Sequence, residues 1–195
     1  MNVDDEKLKI PPIDLLKEEL EREESKYRFR KSLLRTAGIL TVIAAVTVLI
    51  ATRLLILVQV KGVSMLPTLQ EGDIIFLHQT KEVETGDIIG FYYGGRVLLK
   101  RVIAESGDDI EIDKEGNVYV NSEKLEEPYL TSQNLGKCEL DFPYQVPEGM
   151  YFVLGDNRTV SLDSRIKAIG CVEEAQIVGK VVIRAWPLAR MGIMR

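Results

Sequence analysis

Residues 36–52 read TAGILTVIAAVTVLIAT, a run of seventeen residues without one charged side chain that divides the chain into two unlike parts. A bilayer core about 30 Å thick takes roughly 20 helical residues, and about 17 is the lower end of the usual range. Arg35 and Arg53, at the two ends of the run, can extend to the two interfaces. The run therefore predicts a single transmembrane helix over residues 36–53.

Two other interpretations of this run are open from the residues alone. One is a buried core helix, but such a helix is rarely apolar on all of its faces. The other is a cleaved secretory signal, whose apolar region usually has about 7–15 residues. A charged region of 35 residues before the apolar run is atypical of such a signal. We therefore favour an uncleaved signal-anchor.

The charges before the apolar run predict its orientation. Residues 1–35 hold nine acids and nine bases, and most of the bases lie last, over residues 26–35. The positive-inside rule counts lysine and arginine and gives little weight to acids, so residues 1–35 are expected to form a cytoplasmic tail. Residues 54–195 then form an extracytoplasmic domain, and the chain is a single-pass protein of the cell membrane. Residues 13–20 have the pattern of a short amphipathic helix.

The composition of the 195-residue chain excludes several classes of protein. A charged fraction of 28% and an apolar fraction of 46% are typical of a folded protein. The net charge of −5 and the lack of a basic block after residue 35 disfavour nucleic-acid binding. Two cysteines and one histidine make neither a disulfide framework nor a ready zinc site, so we expect no metal and no cofactor. The sequence leaves open whether Cys138 and Cys171 form a disulfide bond with each other.

The sequence after the apolar run is typical of a β protein. Short runs rich in valine, isoleucine, tyrosine and phenylalanine alternate with glycine, aspartate and proline. The Gly94-Gly95 pair and the segment 113–116 predict two hairpin turns. We therefore expect a mainly β domain with strands over residues 54–60, 73–78, 87–93, 96–104, 109–113, 118–121, 151–154 and 178–186.

Ser64 is the first candidate for chemistry. It follows a predicted apolar strand and precedes a proline turn, in the segment GVSMLPT of residues 62–68. Gly62 permits close backbone approach and Pro67 stiffens the turn, so a nucleophile would be held rigidly at this position. Serines in turns are common, however, and a plain turn serine stays open from the residues alone.

Lys100 is the second candidate, in an apolar predicted strand. Strand alternation places it on one face with Leu98 and Val102. A desolvated lysine has a lowered pKa, so that its neutral amine can take a proton near neutral pH. The alternative is a lysine on an exposed strand face, and spacing alone favours that alternative.

A third segment, GDNRTVSLDSR over residues 155–165, is dense in hydrogen-bonding side chains and by itself predicts a turn network. Taken together, the three segments resemble bacterial type I signal peptidases. Their motifs occur in that family's order and approximate spacing, at residues 64–68, 86–89, 100–104, 107–108 and 155–165. The resemblance covers the predicted anchor and nearly all of residues 54–186.

The resemblance implies a Ser/Lys serine endopeptidase, built of coiled antiparallel β-sheets, that removes N-terminal signal peptides from secreted preproteins. In it Ser64 would be the nucleophile and Lys100 the general base. Ser161 would orient the Lys100 amine, and an ion pair between Asp163 and Arg165 would hold the surrounding loop. The oxyanion hole would use the backbone N–H of Ser64.

Substrate binding is expected to follow the family. An extended signal peptide with small residues before the cleavage site would add to an exposed strand edge. The expected partners are secretory preproteins and the lipid bilayer, with the secretion translocon as a further candidate and no nucleic acid. Five apolar residues near Ser64 and Lys100 are expected to line the substrate pockets: Val60, Met65, Leu69, Leu98 and Leu99.

Two departures from the family pattern bear on substrate range. Gly62 stands where some members carry a serine that donates to the oxyanion, and residues 159–168 predict a changed wall near the active-site loop. The rival interpretation is a catalytically inactive relative that acts as a preprotein-binding or surface-assembly factor. Loss of Ser64 or Lys100 would favour it, and both are present. A soluble self-cleaving repressor with a similar dyad is disfavoured by the anchor.

Overall fold

A computed structural model describes residues 12–194, with the side chains of residues 50–54 excepted. Its first element is one α-helix, α1, over Ile13–Leu54. This helix includes both the short helix predicted near residues 13–20 and the apolar run, which had been predicted to form two separate helices. Residues 1–11 of the predicted cytoplasmic tail lie outside the described residues. Within α1, Ile13–Leu49 is long and apolar enough to cross a membrane, and none of its most apolar stretch is buried inside the protein.

The rest of the described chain is a β unit with two antiparallel sheets. The larger has the strand order β1-β2-β11-β3-β4-β9-β10, with β12 paired to β11, and the smaller has the order β7-β6-β5-β8. The strands are β1 Leu55–Gln59, β2 Ile74–His78, β3 Ile88–Tyr93, β4 Arg96–Ala104, β5 Asp109–Ile112, β6 Val118–Val120, β7 Glu123–Lys124, β8 Tyr144–Gln145, β9 Met150–Leu154, β10 Val172–Glu173, β11 Ile177–Trp186 and β12 Gly192–Ile193. Two 3₁₀ turns, Glu174–Gln176 and Leu188–Arg190, flank β11.

The mainly β prediction is confirmed, and all eight predicted strands are present with ends that differ by at most one residue. The first predicted strand was wrong at its start, because α1 continues through residue 54 and β1 begins at Leu55. Four strands were missed: β7, β8, β10 and β12 have two residues each, too few to show an alternation. The Gly94-Gly95 turn joins β3 to β4, and both glycines have positive φ, as a two-residue hairpin requires.

The core of the β unit lies in three apolar clusters, and one of them supports the first candidate residue. That cluster joins the interior faces of β1, β2 and β11 to Val60, Met65 and Leu69. Met65 and Leu69 lie on the chain between β1 and β2, which also carries Ser64. Burial of these two side chains therefore ties the segment around Ser64 to the sheet.

Candidate active site

Ser64 lies in a loop over residues 60–73, here named the Ser64 loop, that connects β1 to β2. Its ends are joined by two backbone hydrogen bonds, from Val60 N to Asp73 O at 2.8 Å and from Gly72 N to Val60 O at 2.9 Å. Gly62 has a φ of 85°, a conformation that favours glycine. The carbonyl of Ser64 accepts a hydrogen bond from Asn157 N at 2.9 Å. Ser64 is thus held in a closed loop whose backbone is also fixed from a distant segment.

Lys100 lies on β4 with its amine against Ser64. The side chain is only 3% exposed, and Nζ donates hydrogen bonds to Ser64 Oγ and to Leu99 O, each at 2.9 Å. The pKa of Lys100 is lowered from 10.5 to about 8, mainly by burial; the charges of Asp163 and Asp156 oppose this shift, and that of Arg165 adds to it. The amine therefore loses its proton in a range where an unperturbed lysine keeps it.

The alternation predicted for β4 agrees with its packing. Leu98 and Val102 belong to one apolar cluster, whereas Leu99 belongs to another. Lys100 is buried rather than exposed, contrary to the alternative that spacing alone favoured. Alternation assigns a side chain to a face of a strand, but only the covering Ser64 loop decides whether that face is open to water.

The segment 155–165 covers the dyad from the other side. Asp163 and Arg165 are buried and form a bidentate ion pair. Arg165 Nε donates to Asp163 Oδ1 and Arg165 Nη2 donates to Asp163 Oδ2, both at 2.8 Å. Asp163 Oδ2 also accepts a hydrogen bond from Gly155 N at 3.0 Å. The Ser161 hydroxyl is buried and has no hydrogen-bond partner among residues 12–194, so its expected bond to Lys100 is not formed.

A cleft of about 650 Å³ opens beside Ser64 and Lys100. It lies between residues 58–65 and residues 96–100, and four of the five expected lining residues border it: Val60, Met65, Leu98 and Leu99. Leu69 does not border the cleft, because its side chain is 0% exposed and packs in the core beneath Met65. Apart from Lys100, the charged residues that border the cleft are Lys61 and Arg96.

The whole of this site falls in a segment with known relatives. A family model described as signal peptidase, peptidase S26, matches residues 32–186. The chain belongs to this family. It is 39% identical over 151 residues to signal peptidase IB of Staphylococcus aureus, covering 67% of this chain and 77% of that protein.

One further relative agrees with this membership, and one solved structure is similar to part of the chain. The chain is 38% identical over 133 residues to signal peptidase I of Bacillus amyloliquefaciens, covering 62% of this chain and 68% of that one. Among solved structures, a signal peptidase I from Enterococcus faecalis has a TM-score of 0.44 and 34% identity. That comparison covers 51% of this chain and 96% of the other.

A buried ion network, to which no function was predicted, lies behind the dyad of this peptidase-family chain. Arg101 forms a bidentate ion pair with Asp156, from Nε to Oδ1 at 3.0 Å and from Nη2 to Oδ2 at 2.7 Å. Its Nη1 donates to Gly86 O at 2.8 Å. Thr68, in the Ser64 loop, donates its hydroxyl hydrogen to the same carboxylate. The signal in the sequence was an arginine beside Lys100 in an apolar strand, because a buried arginine requires an anionic partner.

A second buried pair extends this network. Arg158 pairs with Glu127, and its Nε donates to Gly155 O at 3.1 Å. Tyr129 donates its hydroxyl hydrogen to Glu127 at 2.7 Å, and its ring lies 3.9 Å from the Arg101 guanidinium carbon. Burial, with the adjacent Glu127 carboxylate, raises the pKa of Tyr129. The network thus joins the segment 155–165 to β4 through paired charges.

Other candidate chemistry is not assembled at this site. Cys138 and Cys171 are both free thiols, and Cys171 Sγ lies 3.8 Å from the Tyr144 hydroxyl oxygen. In the described part of the chain, no group of three or more histidine, cysteine, aspartate or glutamate side chains is arranged to hold a metal ion. The Ser64 hydroxyl and the Lys100 amine are the described groups at the cleft that are in direct hydrogen-bond contact.

Proposed function

We propose that this chain is a membrane-anchored serine endopeptidase that removes N-terminal signal peptides from secreted preproteins. In the proposal Ser64 is the nucleophile and Lys100 is the general base. The observation that carries it is the 2.9 Å contact between the Lys100 amine and Ser64 Oγ at the edge of a cleft. A hydroxyl within hydrogen-bond distance of a desolvated amine is the arrangement that nucleophilic acyl transfer requires.

The geometry supports the following sequence of steps. Neutral Lys100 accepts the Ser64 hydroxyl proton while Oγ attacks the carbonyl carbon of the scissile bond. The resulting ammonium then gives that proton to the leaving amine, and an acyl-enzyme remains on Ser64. In the second half, Lys100 takes a proton from water, which attacks the ester, and Ser64 recovers its hydrogen.

Stabilisation of the oxyanion is assigned to the backbone. The Ser64 N–H makes no hydrogen bond within the described residues, so it is free to donate to a developing negative charge. Gly62 offers no hydroxyl for this purpose. Ser161 stays the proposed orienting residue, since its buried hydroxyl has no other partner in residues 12–194. Asp163 and Arg165 are proposed to hold the loop that carries it.

The cleft supports a substrate with small apolar residues before the scissile bond. Its walls near Lys100 are apolar, with Val60 and Met65 on one side and Leu98 and Leu99 on the other. The stretch at residues 58–61 lies at the end of an edge strand, where an extended peptide can add main-chain hydrogen bonds. The departures at residues 159–168 lie outside this cleft lining, so their effect on substrate range stays a prediction.

The membrane part of the proposal places residues 1–35 in the cytoplasm, residues 36–53 across the bilayer and residues 54–195 outside. The apolar stretch of α1, no part of which is buried inside the described protein, supports the anchor. The β unit also presents an apolar row, in which Leu57, Phe76, Ile183 and Ile193 are register partners across four strands. Three of the four are exposed, which suits contact with lipid. The translocon stays a further proposed partner.

The test is cleavage of a preprotein with an Ala-x-Ala site by the full chain in detergent. Wild type is expected to cut at that junction, and Ser64→Ala and Lys100→Met are expected to abolish cutting. Ser132→Ala and Lys114→Met serve as matched controls, because both positions are exposed and distant in sequence from the site. Cleavage by Ser64→Ala at the wild-type rate would exclude the mechanism.

The rival function, an inactive preprotein-binding relative, makes the opposite prediction. It expects folded wild type to bind the preprotein without cutting it, and Ser64→Ala to bind equally well. The assembled contact between Ser64 and Lys100 gives that interpretation no support.

A further inference from the structure

The chain after β11 contacts the Ser64 loop at its closed end. Residues 187–194, here named the C-terminal clasp, contain the 3₁₀ turn Leu188–Arg190 and strand β12, which pairs with β11. Met194 packs against the apolar cluster that holds Val60, Met65 and Leu69. The clasp lies beyond residue 186, where the match to the peptidase family ends.

The C-terminal clasp forms an ion pair with Asp73. This carboxylate is 1% exposed, and its backbone carbonyl closes the Ser64 loop through Val60. Arg190 reaches Asp73 Oδ1 at 2.7 Å, while Gln70 N donates to Oδ2 at 3.0 Å. A buried carboxylate needs such partners, and the nearer of the two cations beside Asp73 is supplied by the clasp.

Arg190 also acts through a second arginine. Its carbonyl accepts a hydrogen bond from Arg184 Nε at 2.6 Å, and Arg184 in turn donates to Thr68 O at 2.8 Å. Arg184 also lies 3.7 Å from Asp73 Oδ2. The clasp therefore orients the guanidinium that holds Thr68, only four residues after Ser64.

The Ser64 loop is thus held on two sides. The segment 155–165 contacts it through Asp156 to the Thr68 hydroxyl and through Asn157 N to Ser64 O. The clasp and Arg184 contact it at Thr68 O and at Asp73. Both sets of contacts fix the position of the loop relative to β4, which carries Lys100.

We infer that the C-terminal clasp positions the Ser64 hydroxyl against Lys100, with Arg190 as the positioning residue. This inference rests on the proposed peptidase function. Arg190 does not touch the reacting groups, and it acts by holding Asp73 and by orienting Arg184. The groups that shift the pKa of Lys100 belong to other segments, so the clasp affects the geometry of the dyad and not its titration.

The experiment compares Arg190→Gln, Arg190→Lys and wild type as full chains in detergent. Single-turnover cleavage is measured with saturating enzyme in excess, because the rate constant then does not depend on the folded fraction. Arg190→Gln is expected to lower this rate constant on the order of 10- to 100-fold, as small displacements of reacting groups do. Arg190→Lys, which keeps the charge, is expected to recover most of it, and the pH dependence is expected to stay unchanged.

The control is Lys137→Gln, which removes a 2.8 Å ion pair with Glu139 on the surface and is expected to cleave like wild type. A wild-type rate constant for Arg190→Gln would overturn the inference, even if that variant unfolds at a lower temperature. An equal decrease of the single-turnover rate constant in Arg190→Gln and Arg190→Lys would overturn the inference as well. No cleavage by folded wild type would instead exclude the proposed peptidase function.

Discussion

Two ion pairs of nearly equal length lie in the two parts of this molecule. On α1, Lys26 and Glu23 are 2.6 Å apart, with side chains 57% and 71% exposed. In the β unit, Arg101 and Asp156 are 2.7 Å apart, with side chains 5% and 1% exposed. Water screens the first pair, whereas the second pair has no water to replace a lost partner. The difference teaches that burial, and not distance, decides what a charge contributes here.

The largest effect is expected from Asp156→Asn, which leaves the Arg101 guanidinium buried without its counter-charge. Loss of one partner of a buried pair costs about 3–5 kcal/mol of unfolding free energy. Urea unfolding, followed by the fluorescence of the single tryptophan, Trp186, measures this in the full chain. Asp141→Asn, at an exposed carboxylate, is the matched control. An unchanged urea midpoint in Asp156→Asn would show that the buried ion pair contributes no more to stability than the exposed one.

A pH profile examines the other buried charge, Lys100. Because only the neutral amine accepts a proton, kcat/KM is expected to fall about tenfold per pH unit below the lowered pKa of about 8. It should level off above that value. The same lowered pKa makes the unfolding free energy depend on pH. Below about pH 8 the folded protein holds a protonated Lys100 in a buried place, which lowers the unfolding free energy, and this loss is relieved as pH rises from about 8 toward 10.5. A flat activity profile from pH 6 to 9 would contradict a titrating base.

Arg101→Lys keeps the charge of the buried pair and removes its geometry. A lysine cannot make the two-pronged contact with Asp156, the bond to Gly86 O and the stacking on Tyr129 together. We expect a loss of about 1–2 kcal/mol of unfolding free energy, smaller than that of Asp156→Asn. The same urea titration measures it. Wild-type stability would show that charge alone suffices at this position.

The smallest effect is expected from Glu23→Gln on α1. Its side chain and that of Lys26 stay in water, so removing the charge leaves no buried cation behind. The helical signal in far-UV circular dichroism is expected to stay unchanged on heating in detergent, as is cleavage of the preprotein. A clear loss of helical signal would show that this exposed pair contributes more than its burial indicates.

Much of the fold was predictable because it depends on local patterns. The uncharged run at residues 36–52 indicated a helix, and the alternation in residues 96–104 indicated β4 with its exact ends. The pattern at residues 13–20 predicted a short helix, but the sequence could not show that this helix continues through residues 21–35 into the apolar run, since a charged helix without an apolar face has no periodic signal. The two-residue strands were missed for a related reason, because tertiary contacts alone maintain them.

The candidate site was predictable only in part. Ser64 and Lys100 could be named from motifs that resemble a known family, and the structure brings their reactive atoms to 2.9 Å. Leu69 was expected in the cleft wall, yet it lies in the core, because proximity in sequence to Ser64 does not tell which way a side chain points. The roles of Asp156 and Arg190 depend on contacts that no local pattern contains.

The sequence by itself determined an uncharged run long enough to span a membrane and the β character of the remainder, and its motifs indicated the family to which the chain belongs. The first two follow from residue type and short-range spacing, which dictate hydropathy and backbone preference, whereas the family follows from the resemblance of its motifs. Only the tertiary structure decided which charges are paired and which amine is desolvated. Ser64 meets Lys100 across 36 residues, Thr68 meets Asp156 across 88 and Asp73 meets Arg190 across 117. Contacts at such separations depend on how the sheet and its loops close over one another, which only the packed chain determines.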